Sequence, residues 1–277
     1  LVQVIPRWPV VLYDRNRGTI IAVDSLGEFR SNSIPFAVRK QLARVVGSAS
    51  GQLVTIHTSA RLNLTPGLSP EPEPWRAKLS SMDSGVGVDL VVVPGERTFV
   101  EVFEGVPSLH PLPFSATGSA TMTDSSVYVG LPQASEIREF DLSGNLRKVM
   151  RLSPACQRVT PDDKDAYVDA QVALARVPSA EAHLRRSFNT VMVEKCTPAF
   201  TQLIAGPRGY LWAKQYSFTD RSSTRWTVFN AEGAALGFVE LPARFRLLQI
   251  GREFIVGVFA DSMDIQHLRR HRVTVQD

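Results

Sequence analysis

The sequence predicts an all-β protein of the β-propeller type, and three observations carry that expectation. One turn comes back along the chain: Asp24-Ser25-Leu26-Gly27, Asp141-Leu142-Ser143-Gly144 and Asn230-Ala231-Glu232-Gly233 each follow a short alternating run and lead into a second apolar run. The Asp or Asn side chain can bond the turn backbone and Gly can take positive φ, so each reads as a β-hairpin. Most of the remaining chain breaks into runs of strand length bounded by Gly, Pro, Asn and Asp. Finally, once one atypical segment is set aside, Asp141 and Asn230 are separated by about 43 residues, within the roughly 40–50 of one propeller blade.

In chain order, five units are visible. The first comprises Trp8 to Tyr13, Thr19 to Val23 and a run from Phe29. The second is less regular, with Leu42 to Val46, Gln52 to Thr58, Trp75 to Leu79, Val86 to Val93 and Thr98 to Phe103. The Pro-rich stretch from Thr65 to Pro74 cannot be a central strand, because Pro has no N–H to give a ladder. The third unit runs through Ser119 to Thr123, Val127 to Gly130, Ile137 to Phe140 and Leu146 to Leu152. The fourth comprises Phe200 to Ala205, Tyr210 to Tyr216, Arg225 to Phe229 and Leu236 to Leu241, and the fifth Phe245 to Ile250, Phe254 to Phe259 and Ile265 to Val273.

Residues 153–198 interrupt the pattern and predict a helical insert between the third and fourth units. Thr160 is a helix N-cap, Pro161 suits the first helical position, and Asp162 and Asp163 suit the positive end of the dipole. A second helical run follows Pro178. Cys156 and Cys196 flank the segment, leaving two readings: one bridge or two unpaired buried thiols. A bridge would close a loop of ~40 residues and stabilise by roughly 4 kcal/mol on a chain-entropy model. No second core composition is visible, so residues 1–277 form one expected domain.

Of 31 basic residues six are lysine, leaving 25 arginines, against 27 acidic residues and a net charge of +4. The tight cluster Arg269-Arg270-His271-Arg272 ends a strand-like run and reads as a solvated edge. Nucleic-acid binding would need clustered Arg with interleaved aromatics, and is not expected. No apolar run is long enough for a helical membrane span.

The last third of the chain is more specific. Gly209-Tyr210-Leu211-Trp212, then Trp226-Thr227-Val228-Phe229-Asn230-Ala231-Glu232-Gly233, then Leu236-Gly237-Phe238-Val239-Glu240-Leu241-Pro242 resembles the bacterial six-bladed propellers related to the NHL-repeat group. Pro198-Ala199-Phe200, Val159 to Asp163 and the hairpin from Ile250 to Val273 match the same family. The resemblance covers roughly residues 8–275, best from 124 to 275. It implies an exported six-bladed propeller, hence an extracytoplasmic location with the leader absent from this chain. Gly206 stands where the family pattern would place Asp. Five units rather than six leave the ring short, so either residues 1–6 supply a closing strand or the chain is a fragment lacking its N-terminal blade; the fragment is favoured.

In a propeller the loops from second to third strands and those between blades share one face, where pockets form over the channel. The repeated turns join third to fourth strands on the other face, so they are structural. The loop face would hold Asp14 to Arg17, Leu131 to Ser135, Ser217 to Ser223, Ala260 to Met263 and the insert. Arg15, Arg17, Tyr216, Arg221 and Asp261 are the candidate ligand-binding residues. No catalytic residue, metal ligand or cofactor is predicted. The inner-strand runs Ser119 to Thr123 and Leu203 to Ala205 contain no carboxylate for a channel Ca²⁺. The histidines (His57, His110, His183, His267, His271) lack ligand-like spacing. Neither a Gly-x-Ser-x-Gly motif nor a Cys with a nearby His is present. Trp212 and Trp226 are expected as blade core. The expected function is a non-enzymatic binding module that holds a ligand or protein partner on the loop face. The alternative is a metal-dependent propeller hydrolase or lactonase.

Overall fold

Antiparallel strands follow one another in chain order and gather into radially stacked sheets. The computed structural model describes residues 2–273, apart from 6–9, 15–18, 24–28, 34–41, 50, 58–66, 69–73, 82–83, 96, 104, 154–156, 174–177, 191–192 and 219–221. The first sheet is β1 (Val2–Ile5), β2 (Val10–Asp14), β3 (Thr19–Val23) and β4 (Phe29–Ser33). The second is β5 (Leu42–Ala49), β6 (Gln52–His57), β8 (Trp75–Ser81) and β9 (Gly87–Val93), with the two-residue β7 (Gly67–Leu68) in the loop between β6 and β8. β10 (Thr98–Phe103) and β11 (Val106–Pro111) follow, and β10 pairs with both β11 and β7 in a separate three-stranded sheet. The third blade is β12 (Ser119–Met122), β13 (Ser126–Leu131), β14 (Glu136–Asp141) and β15 (Leu146–Arg151). Next come β16 (Gln157–Arg158), α1 (Pro161–Val172), α2 (Pro178–Thr190) and β17 (Cys196–Thr197). The fourth blade is β18 (Phe200–Ala205), β19 (Leu211–Gln215), β20 (Ser223–Phe229) and β21 (Ala235–Pro242), and the chain continues through β22 (Phe245–Ile250), β23 (Phe254–Ala260) and β24 (Gln266–Arg272).

The fold is therefore an all-β propeller, but the described residues contain four four-stranded blades rather than the five or six expected. Two features account for the difference. Among the described residues the fifth unit has three strands, β22, β23 and β24. Val2–Ile5 pairs with β2, in register Val2↔Asp14 to Ile5↔Val11, and completes the first sheet instead of closing the last. Thr98–Phe103, read as part of the second blade, belongs to the β11-β10-β7 sheet. The helical element is also smaller than the 153–198 insert expected. Its ends pair as the short β16–β17 ladder, Gln157↔Thr197 and Arg158↔Cys196, and helix fills only the middle.

The blades stack because their central strands are apolar on both faces. In β13, Val127 and Val129 point into a cluster with Val54, Ile56, Ala77 and Leu79 of the second blade. Tyr128, between them, points the other way into a cluster with Phe200, Leu203 and Leu211 of the fourth. In β19, Leu211 and Ala213 face the third blade while Trp212 faces β22 and β23 beside Trp226, Phe245 and Ile255. A period of two thus feeds alternate residues to two different cores, and such strands read as continuous apolar runs. Gly130 is small for this reason: a Cβ there would sit 2.5 Å from the Phe200 ring.

Inner strands are also stitched by side chains. The Ser119 hydroxyl on β12 accepts the Leu203 N–H of β18 at 3.0 Å, and the Thr121 hydroxyl accepts the Ala205 N–H at 3.1 Å. The channel-side hydroxyls of β12 therefore serve the seam between blades. The unexpected Gly206 has a packing reason, since a Cβ there would meet Ile250 of β22 at 3.1 Å.

Of the three recurrent turns, the first lies outside the described residues. In the second, Asp141 Oδ1 accepts the N–H groups of Ser143 (2.8 Å) and Asn145 (2.9 Å), and Gly144 takes φ +88°. In the third, Asn230 Oδ1 accepts the Ala234 N–H at 2.8 Å and Gly233 takes φ +87°. Both join third to fourth strands, on the face opposite the interblade insertions.

Candidate functional site

The loop face is built up from one tight turn. Pro132–Ala134 forms a single 3-10 turn between β13 and β14, with Ser135 at φ 52° closing it. The Ser135 carbonyl accepts the Leu152 N–H (2.8 Å) as the chain leaves the third blade, and the Pro132 carbonyl accepts the Ala199 N–H (3.2 Å) as it enters the fourth. Both ends of the insert are thus pinned to the same turn. Gln133 extends the anchorage: its Nε2 donates to the Phe114 carbonyl at 3.2 Å, while its buried Oε1 has no partner among the described residues.

Above this turn two interblade segments form a cap, the β10–β11 hairpin, with β7 from the β6–β8 loop along its edge, and the α1–α2 pair. α1 starts as its sequence predicts. The Thr160 hydroxyl accepts the Asp163 N–H (3.1 Å), and the Asp163 carboxylate accepts the Thr160 N–H (2.9 Å). This reciprocal pair fills two of the free donors at the helix start. It also holds the Asp163 carboxyl below its ordinary pKa. The helices share a small core of Val168, Val172 and Phe188, with Tyr167 and Leu184 against it. An ion pair 97 residues apart in sequence, Arg97 to Glu194 at 2.6 Å, ties the β9–β10 connection to the end of the insert.

Aromatic rings fill the space between cap and blades. Phe114, only 1% exposed, lies 5.2 Å from the Tyr167 ring, 5.0 Å from Phe218 and 6.3 Å from Tyr216. Tyr167 in turn meets Phe188 at 5.6 Å, and Phe188 meets His110 of β11 at 6.4 Å. These are the tilted and edge-on geometries aromatic quadrupoles favour. Burial, with Tyr167 close by, pushes the Tyr216 phenol well above its ordinary pKa against an opposing hydrogen bond from the Phe114 backbone. Burial also raises Tyr167. A crevice between β10, β11 and α2, lined by Phe99, His110, Pro111, Leu184, Ser187 and Phe188, is too narrow for a water molecule.

Of the residues expected to share a ligand site, two are described, Tyr216 and Asp261. Arg15, Arg17 and Arg221 lie outside the described residues. Tyr216 is half-buried in the aromatic cluster, joining the blades to the cap. Asp261 forms a turn: its Oδ1 accepts the Met263 and Ile265 N–H groups at 2.9 and 3.0 Å, and its Oδ2 meets His267 Nε2 at 3.0 Å. Those bonds, the His267 contact first, hold the Asp261 carboxyl below its ordinary pKa. The arrangement repeats the Asp141 turn, with Asp264 at φ 61° in place of Gly144. Cys196 is disulfide-bonded, and Cys156, the sequence's other cysteine, lies outside the described residues. Trp212 and Trp226 are buried core, as expected.

Three further cap carboxylates have structural partners. Asp169 and Glu181 both engage Arg185, at 2.8 and 3.4 Å, and Glu194 engages Arg97. Among the described residues no three His, Cys, Asp or Glu side chains gather as a metal site, and no helix is long and apolar enough to cross a membrane. The sequence reading placed Gln133, Tyr167 and Phe188 on the loop face without their contacts, and it missed Phe114. These residues meet only because two insertions fold back over one turn.

No known protein family matches the chain, and no curated protein does. Solved structures do match. A DUF4221-family protein of Bacteroides vulgatus is 9% identical over 95% of this chain and 75% of its own, with a TM-score of 0.45. A virginiamycin B lyase of Staphylococcus aureus is 9% identical over 99% of this chain and 84% of its own, at 0.35. Regucalcin of Agrobacterium tumefaciens, a calcium-binding protein, is 6% identical over 93% of this chain and 83% of its own, at 0.29. The propeller assignment rests on the sheet order described above, and no site transfers at these similarities.

Proposed function

We propose that this chain is a non-enzymatic propeller binding module, with the capped loop face as its contact surface for a ligand or protein partner. One observation carries the reading. Two interblade segments that no blade requires are built into a platform, tied to each other by Arg97–Glu194 and joined to the propeller by the Phe114–Tyr167–Tyr216–Phe218 cluster. Binding surfaces concentrate where a rigid scaffold positions such insertions. Arg15, Arg17 and Arg221 remain the proposed rim contacts on this face, and Tyr216 acts through the packing beneath it. The NHL-related resemblance is retained for the hairpins between 124 and 275, supported by the Asn230 turn in its expected place. The disulfide at Cys196 supports an extracytoplasmic location, since oxidising compartments preserve such bonds.

The test has two arms. Thermal unfolding of the chain in EDTA, Ca²⁺ or Zn²⁺ should give one midpoint, whereas a ligand that binds only the native state raises it with concentration. A saturable rise with one ion would overturn the reading in favour of a metal-dependent hydrolase or lactonase. In the second arm, a partner captured on the immobilised chain should be retained about tenfold less by a variant with Arg15, Arg17 and Arg221 changed to Ala; equal retention would sink the rim assignment.

A further inference from the structure

We propose that β24 is a docking edge for an extended acidic strand of a partner protein, added as the fourth strand of the fifth sheet. The site is separate from the loop face and does not depend on that reading. β24 occupies the position of β8, β14 and β20, each the third strand of its blade. Those three are covered by a fourth strand; β24 pairs only with β23 among the described residues.

The complete blades show what a fourth strand must carry. In the second, Arg76 of β8 meets Asp89 of β9 at 3.3 Å. In the third the signs reverse, with Glu139 of β14 on Lys148 of β15 (3.5 Å) and Glu136 on Arg151 (3.6 Å). In the fourth, Arg225 of β20 meets Glu240 of β21 at 2.6 Å and lies over the Phe238 ring. Each third strand thus finds opposite charge on its fourth, the cross-strand pairing that stabilises antiparallel ladders. β24 carries Arg269, Arg270 and Arg272, and none has a carboxylate partner among the described residues. Two are already positioned: Arg269 lies over Phe259 at 4.0 Å and Arg270 over Phe254 at 4.2 Å, on opposite faces of the sheet. Leu268, just before Arg269, is 73% exposed.

A basic edge discourages pairing with its own kind, because a second β24 would oppose arginine to arginine. It does not discourage an acidic strand. Nor does a polyanion without a peptide backbone satisfy the edge, whose N–H and C=O groups alternate and need both an acceptor and a donor from the partner.

The test uses the whole chain and three labelled nine-residue probes: alternating Val and Glu, alternating Val and Lys, and the Glu probe with N-methylated backbone amides. Fluorescence anisotropy should show the Glu probe binding and the other two not. A variant with Arg269, Arg270 and Arg272 changed to Glu should bind the Glu probe at least tenfold more weakly and gain binding to the Lys probe. That gain requires a folded variant, so misfolding cannot imitate it. Hydrogen exchange should show the outward-facing β24 amides, those not bonded to β23, unprotected in the free chain and protected with the Glu probe. The proposal falls if the folded wild type ignores the Glu probe, if the N-methylated probe binds equally well (a polyanion site), if the free chain is a dimer with the outward-facing β24 amides protected, or if those amides are already protected in the monomer. Loss of loop-face capture leaves all these outcomes unchanged.

Discussion

At Asp141 one carboxylate organises a whole turn. The Asn145 backbone N–H, the Asn145 side chain and the Ser143 N–H hold its pKa down to about 2, against 3.8 ordinarily. A group whose folded pKa is depressed adds stability above the unfolded value and loses it as pH falls through the folded one. Thermal midpoints of wild type and Asp141→Ala should therefore differ most above about pH 5 and converge as pH falls from about 4 towards 2. A gap that persists unchanged at pH 2 would show that the turn is held without the charge. This turn was legible because Asp-x-x-Gly is a local signal. The matching turn at Asp261, a residue expected as a ligand contact, was not legible as a turn, because Asp264 fills the left-handed position that Gly fills elsewhere.

Elements divide along the same line. α1 was legible to its first residue, because Thr160, Pro161 and Asp163 act within one helical turn. The cap that α1 belongs to was not, because its cohesion lies in rings distant in sequence. Phe114→Ala should cost the cap most of the roughly 3–5 kcal/mol typical of a deleted buried Phe. Hydrogen exchange should then accelerate across Pro161–Val172 and Pro178–Thr190, with β12 to β15 still protected. Acceleration throughout the third blade would mean that Phe114 belongs to the blade core instead.

On the scale of the whole molecule, the seams between blades decide the assembly. Ser119→Ala and Thr121→Val would each strand a β18 N–H group in the interior, at a cost of roughly 1–3 kcal/mol. Denaturant midpoints should fall for both single variants, with a non-additive double variant, since the two bonds close the same seam. Unchanged midpoints would mean that apolar packing alone joins the third and fourth blades. Alternation of period two, Asp/Asn-x-x-Gly turns and a helix cap are properties of neighbouring residues, so the sequence by itself determined the all-β class, the third and fourth units and the place of the insert. The number of complete blades, the partner of Val2–Ile5, the separation of β10 from the second blade and the aromatic cap were decided only by the tertiary structure. Each depends on which distant surface a strand or ring meets, and a one-dimensional pattern of apolar residues is satisfied equally well by several such surfaces.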